Sequence, residues 1–132
     1  VFAGIGTGGT ASGIGRSLRD SGSKGKVIGV EPAESPLITE GRSGPHKIQG
    51  IGSNFIPDNY DPNAIHQVVT VKGDDAIATA VRLAKEEGIF AGISSGAAVF
   101  AALQQAEKEK GKIILAILPD GGERYVSLGI YD

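Results

Sequence analysis

"GIGTGGTASG", residues 4–13, reads as the end of a strand, a glycine-rich turn and the start of a helix. In an open parallel sheet, ligands bind beyond the carboxyl ends of the strands, where helix N-termini present unpaired N–H groups. Gly6, Gly8 and Gly9 let backbone amides converge on a phosphate with no side chain in the way. Thr7 and Thr10 add hydroxyl donors. A phosphate held like this needs no Lys or Arg, because the amides and the helix dipole supply the positive potential.

The rest of the chain continues the strand-to-helix rhythm. Residues 1–3 read as a buried strand and 10–20 as the helix entered from the glycine turn. Further strands are expected at 26–30 and 67–71. Gly73-Asp74 follows as a turn and helix-cap pair, and the helix then runs to about Glu87, with Ile77, Val81 and Ala84 on one face and Gly88 as its stop. A short strand at 89–91 leads into "GISSGAAVFAALQQAEKEKG", a second loop-to-helix entry whose helix ends at Gly111. "KIILAILPDGGERY" supplies a last strand at 113–118, apolar on both faces as a central parallel strand requires. The expected fold is therefore α/β: an open, mostly parallel twisted sheet with helices on both faces, in three layers. The exception is a stretch of weak periodicity at 31–66, rich in Gly and Pro. Loops of that length are usually functional, and "HKIQGIGSNFIP" carries apolar anchors that could dock it.

Bulk properties narrow the function. The 132 residues are one domain's worth of chain, and a net charge of -2 argues against a nucleic-acid or anionic-membrane surface. No apolar run approaches the roughly 18 residues of a membrane span. With no cysteine there is neither a disulfide nor a thiolate metal site, which fits a reducing cytoplasm. Glycine accounts for 21 of 132 residues, about twice the usual share of roughly 7%. The chain has no Met and opens in what reads as a strand already in progress, so a piece of a longer protein is expected.

Two cofactors use such a turn. Gly4, Gly6 and Gly9 match G-x-G-x-x-G, and Glu31 lies at a strand end where a ribose-binding acid of a dinucleotide site would sit. The plain alternative is that Gly4 allows close packing and Glu31 is a surface residue held by Pro32. The company the turn keeps points elsewhere: "GISSG" at 92–96 and "PDGG" at 119–122 also follow strands, so three loops would line one edge of the sheet. A Ser-Ser-Gly helix entry there suits a cofactor with one phosphate and a heteroaromatic ring.

"GIGTGGT", "VEPAESPLI", "GPHKIQGIG", "FIP", "GIFAGISSGAAV" and "LPDGGERYVS" together resemble the C-terminal half of the cysteine synthase (O-acetylserine sulfhydrylase) family, fold-type II enzymes dependent on pyridoxal 5′-phosphate. The resemblance runs from Val1 to about Ser127 and covers less than half of the family's chain. It implies that residues 1–132 are the phosphate-binding domain of a two-domain enzyme, with the N-terminal domain absent. It places the phosphate cup on Gly6, Thr7, Gly8, Gly9 and Thr10, and the serine bonding the pyridine nitrogen on Ser94, with Ser95 beside it. Gly50 falls on the active-site loop near the bound amino acid. Gly121 and Leu128 depart from the family, which usually has Ser or Thr at the first and typically Thr at the second.

The implied reaction is β-replacement of O-acetylserine by sulfide to give L-cysteine. A neutral hydroxyl opposite the ring nitrogen cannot stabilise a proton there, which favours loss of a β-leaving group over racemisation or transamination. The family's Schiff-base lysine would lie upstream of Val1, so the chain alone is expected to be inactive, with no catalytic residue and no metal site. Lys47, beside His46, is the only lysine worth weighing for that role; His46 and His66 read as loop and surface residues. The resemblance further implies a cytoplasmic homodimer that can bind the C-terminal tail of serine acetyltransferase. The rivals are a cystathionine β-synthase-like β-eliminating enzyme, a nicotinamide-dinucleotide-binding module and a non-catalytic interaction domain.

Overall fold

Three short strands, all parallel, carry the molecule. The computed structural model describes residues 1–132. In it β1 (Phe2–Gly4), β2 (Ile28–Pro32) and β3 (Gln67–Val71) form one sheet in the order β1-β2-β3. Between them run α1 (Gly9–Asp20) and the single-turn α2 (Leu37–Glu40); α3 (Gly73–Glu87), α4 (Ile93–Lys108) and a 3-10 helix (Gly122–Leu128) complete the chain. None of the helices is long and apolar enough to cross a membrane.

Alternation along the strands explains the layering. Successive strand residues face opposite sides of a sheet. Phe2, Val30 and Val71 accordingly join Ala76 of α3 and Ile93, Ala97 and Ala101 of α4 in one buried cluster. Ala3, one residue on from Phe2, joins Ala11 of α1 with Ile5, Val27 and Ile65 in a second cluster on the other face. Helices thus cover both faces, as the alternation of strands and helices predicts. Burying a side chain the size of Phe2 or Val30 contributes about 1.5–3 kcal/mol.

Several expectations are corrected. The second strand starts two residues late, because its first register pair is Ile28 with Phe2, and it runs on because Glu31 and Pro32 pair with Thr70 and Val71. The segment 113–118 is not a central strand. It makes one parallel bridge, Phe2 with Ala116, through Phe2 N–H to the Leu115 carbonyl (2.8 Å) and Ile117 N–H to the Phe2 carbonyl (2.9 Å). Ile113, Leu115 and Leu118 are exposed, Ile113 completely, while Ile114, Ala116 and Ile117 are half-buried against the two core clusters. At 89–91 only Ala91 pairs, antiparallel, with Gly121. The last helix stops at Lys108 instead of running to Gly111.

The face of α3 is also rotated from expectation. Ile77, Val81 and Ala84 are only half-buried, while Ala76, Thr79 and Ala80 are buried against α4. Gly96 explains this: a methyl group there would strike the Ala76 carbonyl and sit 2.8 Å from the Ala80 nitrogen. The helices meet backbone to backbone, and small residues line the contact.

Candidate active site

The glycine turn leaves β1 at Gly4 and enters α1 at Gly9. Ile5 N–H bonds the Val30 carbonyl at 2.9 Å and so extends the register of β1 into the turn. Gly8 stands at φ 83°, in the left-handed region, and a Cβ there would lie 2.8 Å from the backbone of Tyr60. No side chain caps α1. Gly9 N–H is taken by Thr7 Oγ1 at 3.3 Å, while the first-turn amides of Thr10 and Ala11 have no carbonyl to reach within the helix. Thr7, Gly9 and Thr10 are exposed. This is a helix N-terminus with donors to spare, the electrostatic setting an anion needs.

The long loop comes back onto this turn. Gly52 N–H bonds the Ile5 carbonyl at 3.1 Å, and Ser53 Oγ donates to the Gly6 carbonyl at 3.4 Å. A Cβ on Gly6 would collide with the Gly50 carbonyl, and one on Gly4 would lie 2.7 Å from Ile51 Cγ2. Two backbones are pressed together here. Beside them opens a cavity of about 190 Å³ lined by Gly6, Thr7, Gly8, Thr10, Gly50 and Pro119, among others. The structure therefore gathers Gly50 and four of the five expected phosphate-cup residues around one space. Gly9 does not line it.

Glu31 and His46 hold the long loop in place. Glu31 is 2% exposed, and its carboxylate accepts from Ile38 N–H (3.0 Å), Thr39 N–H (2.9 Å) and the Thr39 hydroxyl (2.6 Å). It is neither a surface residue nor free for a ribose; its oxygens hold the start of α2. His46 Nδ1 accepts from Ile48 N–H at 3.1 Å, which leaves the proton on Nε2 to donate to the Gly52 carbonyl at 2.9 Å. Lys47 is exposed and paired with Asp74 at 3.0 Å, and His66 is exposed.

The start of α4 forms the second part. Ser94 and Ser95 sit in its first turn, 4% and 0% exposed. Ser95 Oγ donates to the Asp120 carbonyl at 3.4 Å, and Gly92 N–H to the same oxygen at 3.0 Å. Asp120 follows Pro119, so "PDGG" runs from the glycine-turn cavity to the first turn of α4. Sequence reasoning noted this loop but missed two of its side chains. Tyr125, 3% exposed, donates its hydroxyl to Asp120 Oδ2 at 2.6 Å. Burial and that hydrogen bond push the Tyr125 hydroxyl up to about 12. Asp120 Oδ1 is buried without any hydrogen-bond partner. The signal available beforehand was the five-residue spacing of Asp120 and Tyr125, which no periodicity marks as a pair.

These parts suit a phosphorylated heteroaromatic cofactor. Unpaired first-turn amides beside a glycine-walled cavity fit a phosphate, and the buried Ser94 hydroxyl in the first turn of α4 suits a ring nitrogen. Known proteins agree. The family model of the pyridoxal-phosphate dependent enzymes matches residues 1–120. A cysteine synthase of Staphylococcus aureus (strain N315) is 46% identical over 131 residues, which span 98% of this chain and 42% of that protein. The crystal structure of an O-ureido-L-serine synthase superposes with a TM-score of 0.94 at 44% identity, over 99% of this chain and 42% of its own. That of a cysteine synthase from Entamoeba histolytica gives 0.93 at 42% identity, over 98% and 39%. The chain spans about two-fifths of the length of these relatives. Turn, cavity and sequence agreement lead to one assignment: this chain belongs to the pyridoxal-phosphate dependent enzyme family.

Proposed function

We propose that this chain is the phosphate-binding portion of a pyridoxal-phosphate dependent enzyme that replaces the β-substituent of an O-activated L-serine, with O-acetylserine and sulfide as its substrates. The observation that carries this reading is the meeting of Gly6 and Gly50 at the mouth of α1, where the expected cup and the expected substrate loop wall one cavity. Amides of the turn and the hydroxyls of Thr7 and Thr10 hold the phosphate. Ser94 would offer its hydroxyl to the ring nitrogen. The 50–53 segment, tied to Ile5 and Gly6, would flank the amino-acid side. Pyridoxal phosphate supplies the electron sink that lets a β-substituent depart. The amine that anchors it comes from elsewhere in the enzyme, since Lys47, the lysine weighed for that task, is exposed and engaged with Asp74.

The commitment of Glu31 to α2 weighs against the dinucleotide alternative, because no free acid remains at the end of β2 for a ribose. Titration of the ¹⁵N-labelled chain tests the choice. Inorganic phosphate should shift the amides of Gly6, Thr7, Gly8, Gly9 and Thr10, and pyridoxamine 5′-phosphate should shift these and Ser94. A response to NAD at Glu31, with Ser94 silent, would overturn the proposal.

A further inference from the structure

Ser53 reaches the glycine turn with its side chain, where the rest of the 50–53 segment does so with backbone. Its hydroxyl donates to the Gly6 carbonyl at 3.4 Å. The chain just before it is fixed: Gly52 N–H bonds the Ile5 carbonyl at 3.1 Å, and the Gly52 carbonyl accepts from His46 Nε2 at 2.9 Å. Ser53 and Gly6 line a small cavity with Ile5, Gly52 and Phe55, among others, which neither Thr7 nor Thr10 lines. The cavity that Thr7 and Thr10 do line includes Gly6 but not Ser53. The Gly6 backbone is thus a wall between two spaces, with the serine hydroxyl behind it.

The peptide bond after Gly6 gives this placement its meaning. In a trans peptide the carbonyl and the following N–H point in opposite directions. A hydroxyl that holds the Gly6 carbonyl on the far side of the wall therefore holds the Thr7 N–H toward the cup. That N–H has no acceptor within the protein, and neither do those of Gly6 and Gly8. Glycine on both sides of Thr7 leaves the backbone freer to rotate than at any ordinary residue, so the peptide needs a hold from outside the turn. No backbone N–H donates to the Gly6 carbonyl, and the Ser53 hydroxyl is the hold it has.

We propose that Ser53 is a positioning residue for the phosphate cup: through the Gly6 carbonyl, its hydroxyl aims the Thr7 N–H at the phosphate and ties occupancy of the cup to the 50–53 segment. The inference rests on the cofactor reading above and deepens it. At 3.4 Å the bond is long for a hydroxyl donor. An anion accepting from Thr7 N–H polarises the same peptide and makes its carbonyl a stronger acceptor, so phosphate binding shortens the Ser53 bond. By reciprocity, the Ser53 bond tightens the grip on phosphate.

Titration of the ¹³C,¹⁵N-labelled chain with inorganic phosphate, in the parent, S53A and S53T, tests this. In the parent, phosphate should move the Gly6 carbonyl ¹³C resonance together with the Thr7 amide. In S53A the carbonyl response should shrink and the affinity for phosphate should fall about three- to fivefold, the worth of one neutral hydrogen bond. S53T keeps the hydroxyl and should stay within about twofold of the parent. Equal affinities in the parent and S53A, with the amides of Gly6 to Thr10 responding in both, would overturn the inference and leave the cofactor reading standing. Equal losses in S53A and S53T would also overturn it. So would a loss in S53A whose Gly50 and Gly52 amides are displaced before phosphate is added, since Ser53 would then act by packing the loop. A parent chain whose Gly6 to Thr10 amides ignore phosphate would sink the cofactor reading first and this inference with it.

Discussion

The carbonyl oxygen of Gly50 occupies the space that a side chain on Gly6 would need. The glycine turn and the long loop therefore have a single relative placement, fixed by two backbones. Gly6→Ala must displace one of them, at a cost of about 1–3 kcal/mol. Chemical denaturation should show that loss, and amide spectra should show changes running from Gly50 to Ser53. Gly50→Ala is a useful contrast: nothing lies within 4 Å of its Cβ, but φ is 90°. Its expected cost is backbone strain alone, about 1–2 kcal/mol, and an unchanged stability would refute this account of the loop.

Glu31 organises α2 from below. Its two oxygens accept three hydrogen bonds within a nearly inaccessible site. Glu31→Ala strips Ile38 and Thr39 of their acceptor, and hydrogen bonds to charged groups are worth about 1.5–3 kcal/mol each in net terms. A destabilisation of at least about 2 kcal/mol is expected, with faster hydrogen exchange at Ile38 and Thr39. Thr39→Val, which removes one of the three, should cost about 1 kcal/mol.

Ser94→Ala separates binding from folding. The hydroxyl is buried in the first turn of α4, where Gly92 already serves as the N-cap. Its removal should change stability by less than about 0.5 kcal/mol. Affinity for inorganic phosphate should be unaltered, while affinity for pyridoxamine 5′-phosphate should fall about 5- to 10-fold, the worth of one hydrogen bond of 1–1.4 kcal/mol. Calorimetric titration with both ligands checks the pair; equal losses for the two would contradict the role given to Ser94.

Tyr125 makes stability depend on alkaline pH. Its hydroxyl titrates at about 12 in the fold, against 10 ordinarily, first because it is buried and then because it donates to Asp120. The folded state therefore holds this proton more tightly than the unfolded state does. The contribution is fully present below pH 10 and is lost progressively as pH rises toward about 12. It amounts to about 2 kcal/mol. Denaturation midpoints between pH 9 and 12 should fall more steeply for the parent chain than for Tyr125→Phe.

How much of this was legible depended on whether the signal was local. The turn at Gly6, Gly8 and Gly9 was, because closely spaced glycines before a helix have few other uses. The layered fold was legible from alternating strands and helices. Glu31 was misread, because α2 has only four residues and gives no periodic pattern to mark the amides that its carboxylate holds. The 113–118 run was misread because an apolar stretch looks alike at the centre of a sheet and at its margin. The Asp120 carboxylate against Gly92 joins residues 28 positions apart, through a collision visible only in three dimensions. The rotation of α3 was hidden for the same reason: Gly96, on another helix, decides which side of α3 is pressed inward.

Within these 132 residues the outer margin from Ile113 to Leu118, with Ile113, Leu115 and Leu118 exposed, can accept a further strand. Unpaired backbone flanked by Ile113 and Leu115 is a template for any extended peptide, including another copy of itself. Precipitation at high concentration should begin there, and a lysine in place of Ile113, whose side chain lies wholly in solvent, would blunt it without disturbing the interior.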